Sequence, residues 1–279
     1  MIDRTLTLAY SPCPNDTYIF SALTNGLLEN APHVKVRLED IENLNNSALK
    51  ADYELTKVSY GAIPLLMKEY RILRAGGALG RGCGPLLITR PECGTRLEDF
   101  SDRLIAIPGE MTTAFMLLRL ALNKRPQTLS LRFDHIVRAV ADGAADAGLI
   151  IHESRFTYQE AGLVKVVDLG DWWETRTGMP IPLGAILARR DLSDAQAREV
   201  NDAVVRSLRF ARANEPAVMN YVREHATEMQ EDVMRKHIDL YVNGFSDDVG
   251  EQGIAAVNEL FARAHGAGIT PETTKADFV

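Results

Sequence analysis

The sequence predicts an α/β fold, either one large doubly wound domain or two α/β lobes with a cleft between them. Three observations carry this expectation. Apolar runs of strand length alternate with helical patterns through most of the chain. No internal repeat or low-complexity linker interrupts that alternation. From Ser193 onward the pattern is helical throughout, so a tail of helices has to pack back on an earlier layer.

The elements are read in order. Leu6 to Tyr10 is a first strand, broken by Ser11-Pro12-Cys13-Pro14, and Asn15 or Asp16 can cap a helix ending near Gly26. Val34 to Leu38 alternates as a strand should, a short helix runs from Ile41 to about Lys50, and Leu55 to Ser59 is a third strand. Gly61 to Lys68 has a helical pattern, with Pro64 tolerable in a first turn. The glycine-rich stretch Gly76 to Gly84 leads into a strand at Leu86 to Thr89. Leu104 to Ile107 meets Pro108-Gly109 and a helix from about Thr112 to Leu122. A unit from Leu129 passes through a helix near His135 to Ala141, then a strand from Ala147 to Ile151. Val164 to Val167 and Gly184 to Leu187 close the mixed region. Ser193 is a good N-cap, and Val200, Val204, Leu208 and Ala211 form one apolar stripe. Arg198, Arg206, Arg209 and Arg212 lie mostly off that stripe, as a solvated face or toward an acidic partner.

Composition narrows the function classes. The chain has 279 residues, 46% hydrophobic and 25% charged, enough to bury a core and too apolar for disorder. A net charge of −7 disfavours a nucleic-acid binder, which needs a basic face against phosphate. No apolar run approaches the ~18 residues that span a bilayer. The start, Met1-Ile2-Asp3-Arg4, lacks the pattern of a signal peptide, so the cytoplasm is the expected compartment. Cys13, Cys83 and Cys93 cannot all pair and lack zinc spacing, so reduced thiols are expected. The expected partner is a small molecule, with neither nucleic acid nor membrane.

Familiar cofactor and catalytic motifs are missing. Gly80-Arg81-Gly82-Cys83-Gly84 has the wrong spacing for a dinucleotide fingerprint and precedes a strand. No Gly-Lys dipeptide exists for a phosphate loop, and no GxSxG elbow exists for a hydrolase. His152-Glu153 begins like a zinc-protease helix, but Phe156 stands where the second histidine belongs. Neither a metal nor a cofactor is therefore expected.

What remains is a set of polar residues at the ends of apolar strands, where α/β folds bind ligands. His152 follows the run Ala147 to Ile151, which would pin the imidazole as a general base or as a locally hydrogen-bonded side chain. Thr112 and Thr113 open a helix after Pro108-Gly109-Glu110, as an anion site or as an ordinary cap. Lys57-Val58-Ser59 ends a strand before another helix start and offers the same chemistry from a second direction. Trp172-Trp173 falls in a loop, to stack on a ring or to cover a lobe, with Asp171 and Glu174 solvated beside it. His135, His225, His237 and His265 fall in predicted helices and His33 precedes a strand, none with a companion ligand.

Four blocks carry a resemblance. Ser11-Pro12-Cys13-Pro14-Asn15-Asp16-Thr17 followed by Tyr18-Ile19-Phe20 resembles the N-terminal signature of the 1,4-dihydroxy-6-naphthoate synthase family of the futalosine route to menaquinone. Leu55 to Tyr60, Gly76 to Pro85 and Gly148 to Tyr158 resemble further blocks of that family. The resemblance implies a two-lobed periplasmic-binding-protein-like (type II) fold with a ligand cleft between lobes. Residues 1–90 with 190–279 would form one lobe and 91–189 the other. It also implies a cytoplasmic, cofactor-independent carbon–carbon lyase that converts cyclic dehypoxanthine futalosine to 1,4-dihydroxy-6-naphthoate with loss of the sugar-derived fragment. His152 matches the family's proton acceptor. Lys57, Val58, Ser59 and the helix start at Thr112, Thr113 and Ala114 match its substrate-binding segments, Thr113 with Ala114 being the preferred register. Two alternatives stay open, chorismate dehydratase of the same pathway and a non-catalytic solute-binding protein. The first and last blocks resemble the synthase and not the dehydratase.

Overall fold

The computed structural model describes residues 2, 4–226, 230–271 and 275–279. The first stretch runs β1 (Leu6–Tyr10), α1 (Pro14–Thr24), β2 (Val34–Leu38), α2 (Ile41–Leu49), β3 (Leu55–Ser59), β4 (Tyr70–Ile72) and β5 (Ala78–Gly80). The second runs β6 (Leu86–Thr89), β7 (Leu104–Ile107), α3 (Thr113–Leu122), β8 (Gln127–Ser130), α4 (Ile136–Ala141), β9 (Ala147–Ile150), α5 (Ser154–Thr157), β10 (Val164–Asp168) and α6 (Leu169–Thr177). The chain then returns through β11 (Ile181–Arg189) to α7 (Asp194–Ala213), α8 (Glu215–His225), α9 (Glu231–Tyr241), α10 (Gly244–Asp247) and α11 (Gly250–Gly266).

Two sheets result. The first has the order β2-β1-β3-β11-β4, with β5 also paired to β11; the second has the order β10-β6-β9-β7-β8. β1 is parallel to β2 and β3, whereas β11 is antiparallel to its neighbours. The chain leaves the first sheet between Gly80 and Leu86 and returns between Asp168 and Ile181. β6 thus joins the second sheet and β11 the first.

The helical tail packs as the apolar stripe requires. Val200, Val204, Leu208 and Ala211 are buried against Ile19, Phe20 and Leu23 of α1 in one cluster with Leu6 and Leu8. Each large aliphatic side chain there contributes roughly 1.5–3 kcal/mol of burial. Ser193 caps α7 and forms a reciprocal capping box with Gln196. A second cluster bridges both sheets, from Val58, Tyr60 and Ile181 to Leu87, Ile105 and Phe115. Among the described residues, no helix is long and apolar enough to cross a membrane.

Several local expectations differ from the structure. Gly61 to Lys68 makes a single 3-10 turn at Ile63–Leu65. Pro64 supplies no N–H, and the Gly61 amide is drawn off to the Thr113 hydroxyl. Trp172 and Trp173 lie in a helix, not a loop, since Asp168 caps the Gly170 and Asp171 amides and left-handed Gly178 ends α6. Trp173 is buried with its indole N–H on the Pro180 carbonyl, so it fills core. Glu174 is not simply solvated, because it accepts from the Gly82 amide and from Arg81. Asn15 and Asp16 do not cap α1; the cap position is Cys13, which makes no side-chain bond there.

Candidate active site

The wall of the cleft on the first sheet begins where β1 ends. Freed from capping, Asp16 is 2% exposed and accepts from Ser11 Oγ (2.8 Å), Asn15 Nδ2 (2.9 Å) and Lys57 Nζ (2.6 Å). Lys57 also donates to the Gly76 carbonyl at 3.3 Å. A buried charge is tolerable only when paired and hydrogen-bonded in this way. Strand alternation then sorts the Lys57-Val58-Ser59 block. Lys57 and Ser59 line the cleft, while Val58 turns its side chain into the core, leaving only its backbone for a ligand. Asn45 of α2 fixes Ser59 from both sides, accepting from its amide at 2.9 Å and donating to its hydroxyl at 3.3 Å.

The start of α3 supplies part of the opposite wall. Thr112 is the N-cap; its hydroxyl accepts from the Phe115 amide at 3.2 Å and donates to the Gly109 carbonyl at 2.8 Å. The Thr113 hydroxyl works across the lobes, donating to Leu183 O (2.7 Å) and accepting from Gly61 N (3.0 Å). Among the described residues, no protein hydrogen bond uses the Thr113 and Ala114 amides. These are two of the first helical N–H groups, at the positive end of the helix dipole, and Thr112, Thr113 and Ala114 all line the cleft.

Glu42 of α2 also reaches this segment, accepting from the Met111 amide at 3.3 Å, and burial raises its carboxyl above the usual range. Gly109 makes room for it. Its φ is +151°, and a Cβ there would stand 2.3 Å from Glu42 Oε2.

His152 sits differently from the expectation of a strand end. β9 stops at Ile150, and His152 lies in the turn beyond it with φ +58°. A non-glycine residue in that left-handed region costs about 1–2 kcal/mol, so surrounding contacts have to hold it. The ring meets Phe133 edge-on at 4.9 Å and stacks on His237 at 6.1 Å between centroids. Among the described residues, its ring nitrogens make no protein hydrogen bond. Burial lowers its pKa to about 4, with Asp16 pulling upward and Lys57 downward, so the imidazole is neutral at pH 7.

His237 is the site residue that helix pattern alone passed over. It is fully buried on α9, lines the same cleft, and meets Asn15 Oδ1 through Nε2 at 2.9 Å. Arg155, two residues beyond Glu153, ties the crossing segment down through Asp168 (2.7 Å) and the Gly82 and Gly84 carbonyls.

One cleft opens between these two walls. Lys57, Ser59, Thr112, Thr113, Ala114 and His152 are brought to it, joined by Ser11, Asn15, Asp16 and His237. Cys13, His152 and Glu153 have potential ligand atoms within 4.8 Å of one another. Burial and the neighbouring Glu153 push the Cys13 thiol well up.

The sequence profile of the family described as menaquinone biosynthesis matches residues 6–266. A 1,4-dihydroxy-6-naphthoate synthase of Thermus thermophilus is 48% identical over 275 residues, 98% of this chain and 99% of the relative. A protein of the same name from Streptomyces coelicolor is 46% identical over 272 residues, 96% and 95% of the two chains. Among solved structures, the alkanesulfonate-binding protein of Xanthomonas axonopodis pv. citri superposes with a TM-score of 0.76 at 13% identity, covering 99% of this chain and 98% of that one. At that identity the likeness speaks for the fold alone, which is two-lobed and periplasmic-binding-protein-like.

Proposed function

The chain belongs to the menaquinone biosynthesis family, and from that premise we propose that it converts cyclic dehypoxanthine futalosine to 1,4-dihydroxy-6-naphthoate. The step is a cofactor-independent carbon–carbon lyase reaction carried out in the cytoplasm. The single observation that supports this most is that the His152 imidazole and the start of α3 line one cleft.

The chemistry follows from the groups present. His152 removes a carbon-bound proton, for which a base with an open ring nitrogen is needed. Its lowered basicity limits the driving force but keeps it unprotonated at working pH. The electron pair of the broken C–H bond becomes a π bond of the new aromatic ring, the carbon–carbon bond to the sugar-derived fragment breaks with its electrons on that fragment, and the His152 imidazolium returns the proton to it. The Thr113 and Ala114 amides at the α3 dipole stabilise negative charge on substrate oxygen, and Ser59 and Lys57 orient it from the facing wall. Thr113 over Thr112 is the binding threonine in this reading, because its side chain already bridges to Gly61 and Leu183 across the lobes.

The test is direct. Purified protein freed of metals by dialysis against chelator is incubated with cyclic dehypoxanthine futalosine, and product is followed by mass spectrometry. Formation of dihydroxynaphthoate supports the reading. Its absence, with chorismate consumed instead, moves the assignment to the dehydratase; tight binding without turnover of either moves it to a solute-binding protein.

A further inference from the structure

We propose that His237 is a positioning residue for the base: through Nδ1 it engages the Glu153 carboxyl across the cleft, and that contact holds the turn carrying His152. The inference rests on the proposed role of His152 and deepens it.

The first observation is a fixed tautomer. Asn15 gives its Nδ2 to Asp16 at 2.9 Å, so Oδ1 is the atom it turns to His237 Nε2, also at 2.9 Å. An amide oxygen only accepts, so Nε2 carries the hydrogen. Asp16 is itself held by Lys57 and Ser11, which makes the orientation of this relay rigid. A neutral His237 therefore presents Nδ1 as a bare acceptor.

The second observation is where that acceptor points. Nδ1 is buried, makes no hydrogen bond among the described residues, and lies 4.0 Å from Glu153 Oε2. Two acceptors facing one another repel. Only when closure brings them together does the pair take up one proton from solvent, on Nδ1, and become a charge-assisted hydrogen bond of about 2.7–2.9 Å. The groups facing this pair are His152, Cys13, Asp16, Lys57 and Tyr241. Burial, with His152 and Lys57 nearby, holds the His237 imidazole well toward its neutral form.

The third observation is topological. His237 stands on α9, which packs on α1 and β5 at the first sheet, whereas Glu153 follows β9 of the second. The contact thus spans the cleft, and closure over substrate shortens 4.0 Å to hydrogen-bond distance. Glu153 directly follows His152, whose left-handed backbone needs an external hold. Ring stacking between His152 and His237 adds a second point of contact.

Two isosteres separate the edges of the ring. His237→Gln keeps a donor for Asn15 and loses Nδ1; His237→Asn keeps a polar group toward Glu153 and loses the Asn15 bond. The expected result is a kcat loss of about 100-fold in His237→Gln with KM changed less than about threefold, and a loss below about fivefold in His237→Asn. Glu153→Ala should match the first variant, and the double variant His237→Gln/Glu153→Ala should lose no more than either alone. Folded variants that lose kcat equally for Gln and Asn, with multiplying effects in the double variant, would reduce His237 to packing and overturn the inference. So would a His237→Gln protein within twofold of wild type. If His237→Gln does not fold, Glu153→Ala carries the same readout. If wild type shows no turnover while binding ligand, the functional proposal fails separately. Crystal structures of the variants then decide: His152 leaving its left-handed conformation supports the inference, and its staying there overturns it.

Discussion

On the wall built from the first sheet, buried hydrogen bonds form two groups, Asn15 and Lys57 on Asp16, and Asn45 with Ser59. On the facing wall, the Thr113 and Ala114 amides and the His152 nitrogens make no protein hydrogen bond among the described residues. The first wall is set before any ligand arrives, and the second keeps its polar groups for the ligand. That division suits a cleft in which one side orients the substrate and the other supplies base and oxyanion donors.

The comparison can be broken most severely at the first wall. Asp16→Ala leaves Lys57 as an orphaned buried charge, and the expected loss is about 3–5 kcal/mol in chemical denaturation. The double variant Asp16→Leu/Lys57→Met should recover most of that stability while abolishing substrate binding. A double variant as unstable as the single would show that the pair is not what the wall depends on.

The seam between the walls is weaker. Thr113→Val strips the partner from the Gly61 amide and leaves the Leu183 carbonyl with the Tyr60 amide alone, for an expected cost of about 1–3 kcal/mol, and Thr113→Ser should restore it. Gly109→Ala places a Cβ against the Glu42 carboxylate and should detach Glu42 from the Met111 amide. The measurable outcome is faster amide exchange at Met111, with a smaller loss of stability than Thr113→Val.

Acid acts on the second wall. Between pH 6.5 and about 4 the unfolded chain protonates a histidine that the folded chain keeps neutral at position 152, so the unfolded state binds more protons. Stability therefore falls as pH drops through that window. His152→Gln should flatten the slope in part, with the remainder belonging to His237, whose imidazole is also held neutral. A slope unchanged by His152→Gln would contradict the burial of its ring.

Much of the fold was legible because strand alternation and helix caps are local signals. Leu6–Tyr10, Val34–Leu38 and Leu55–Ser59 form where period-two patterning places them, and Ser193 caps as expected. β4 and β5 were not legible, because three-residue strands carry too few alternations and exist through pairing with β11. Lys57, Ser59, Thr112, Thr113 and His152 could be named because they end or follow apolar runs or start helices, whereas Ala114 came only from the family resemblance. The Asp16–Lys57 pair could not, since it joins residues 41 positions apart through tertiary packing. His237 left a faint trace. It stands between Val233 and Tyr241 at four-residue spacing, a polar side chain on the buried stripe of α9, where a histidine needs a partner.

The central claim, that His152 is the base and not part of the binding wall, is tested most directly by His152→Ala. Turnover and ligand affinity are measured on the same preparation, the first by mass spectrometry of the naphthoate product and the second by calorimetry. The predicted result is a kcat loss of at least about 100-fold with affinity within a few-fold of wild type. Turnover that persists near the wild-type rate, or a loss confined to affinity, would contradict it.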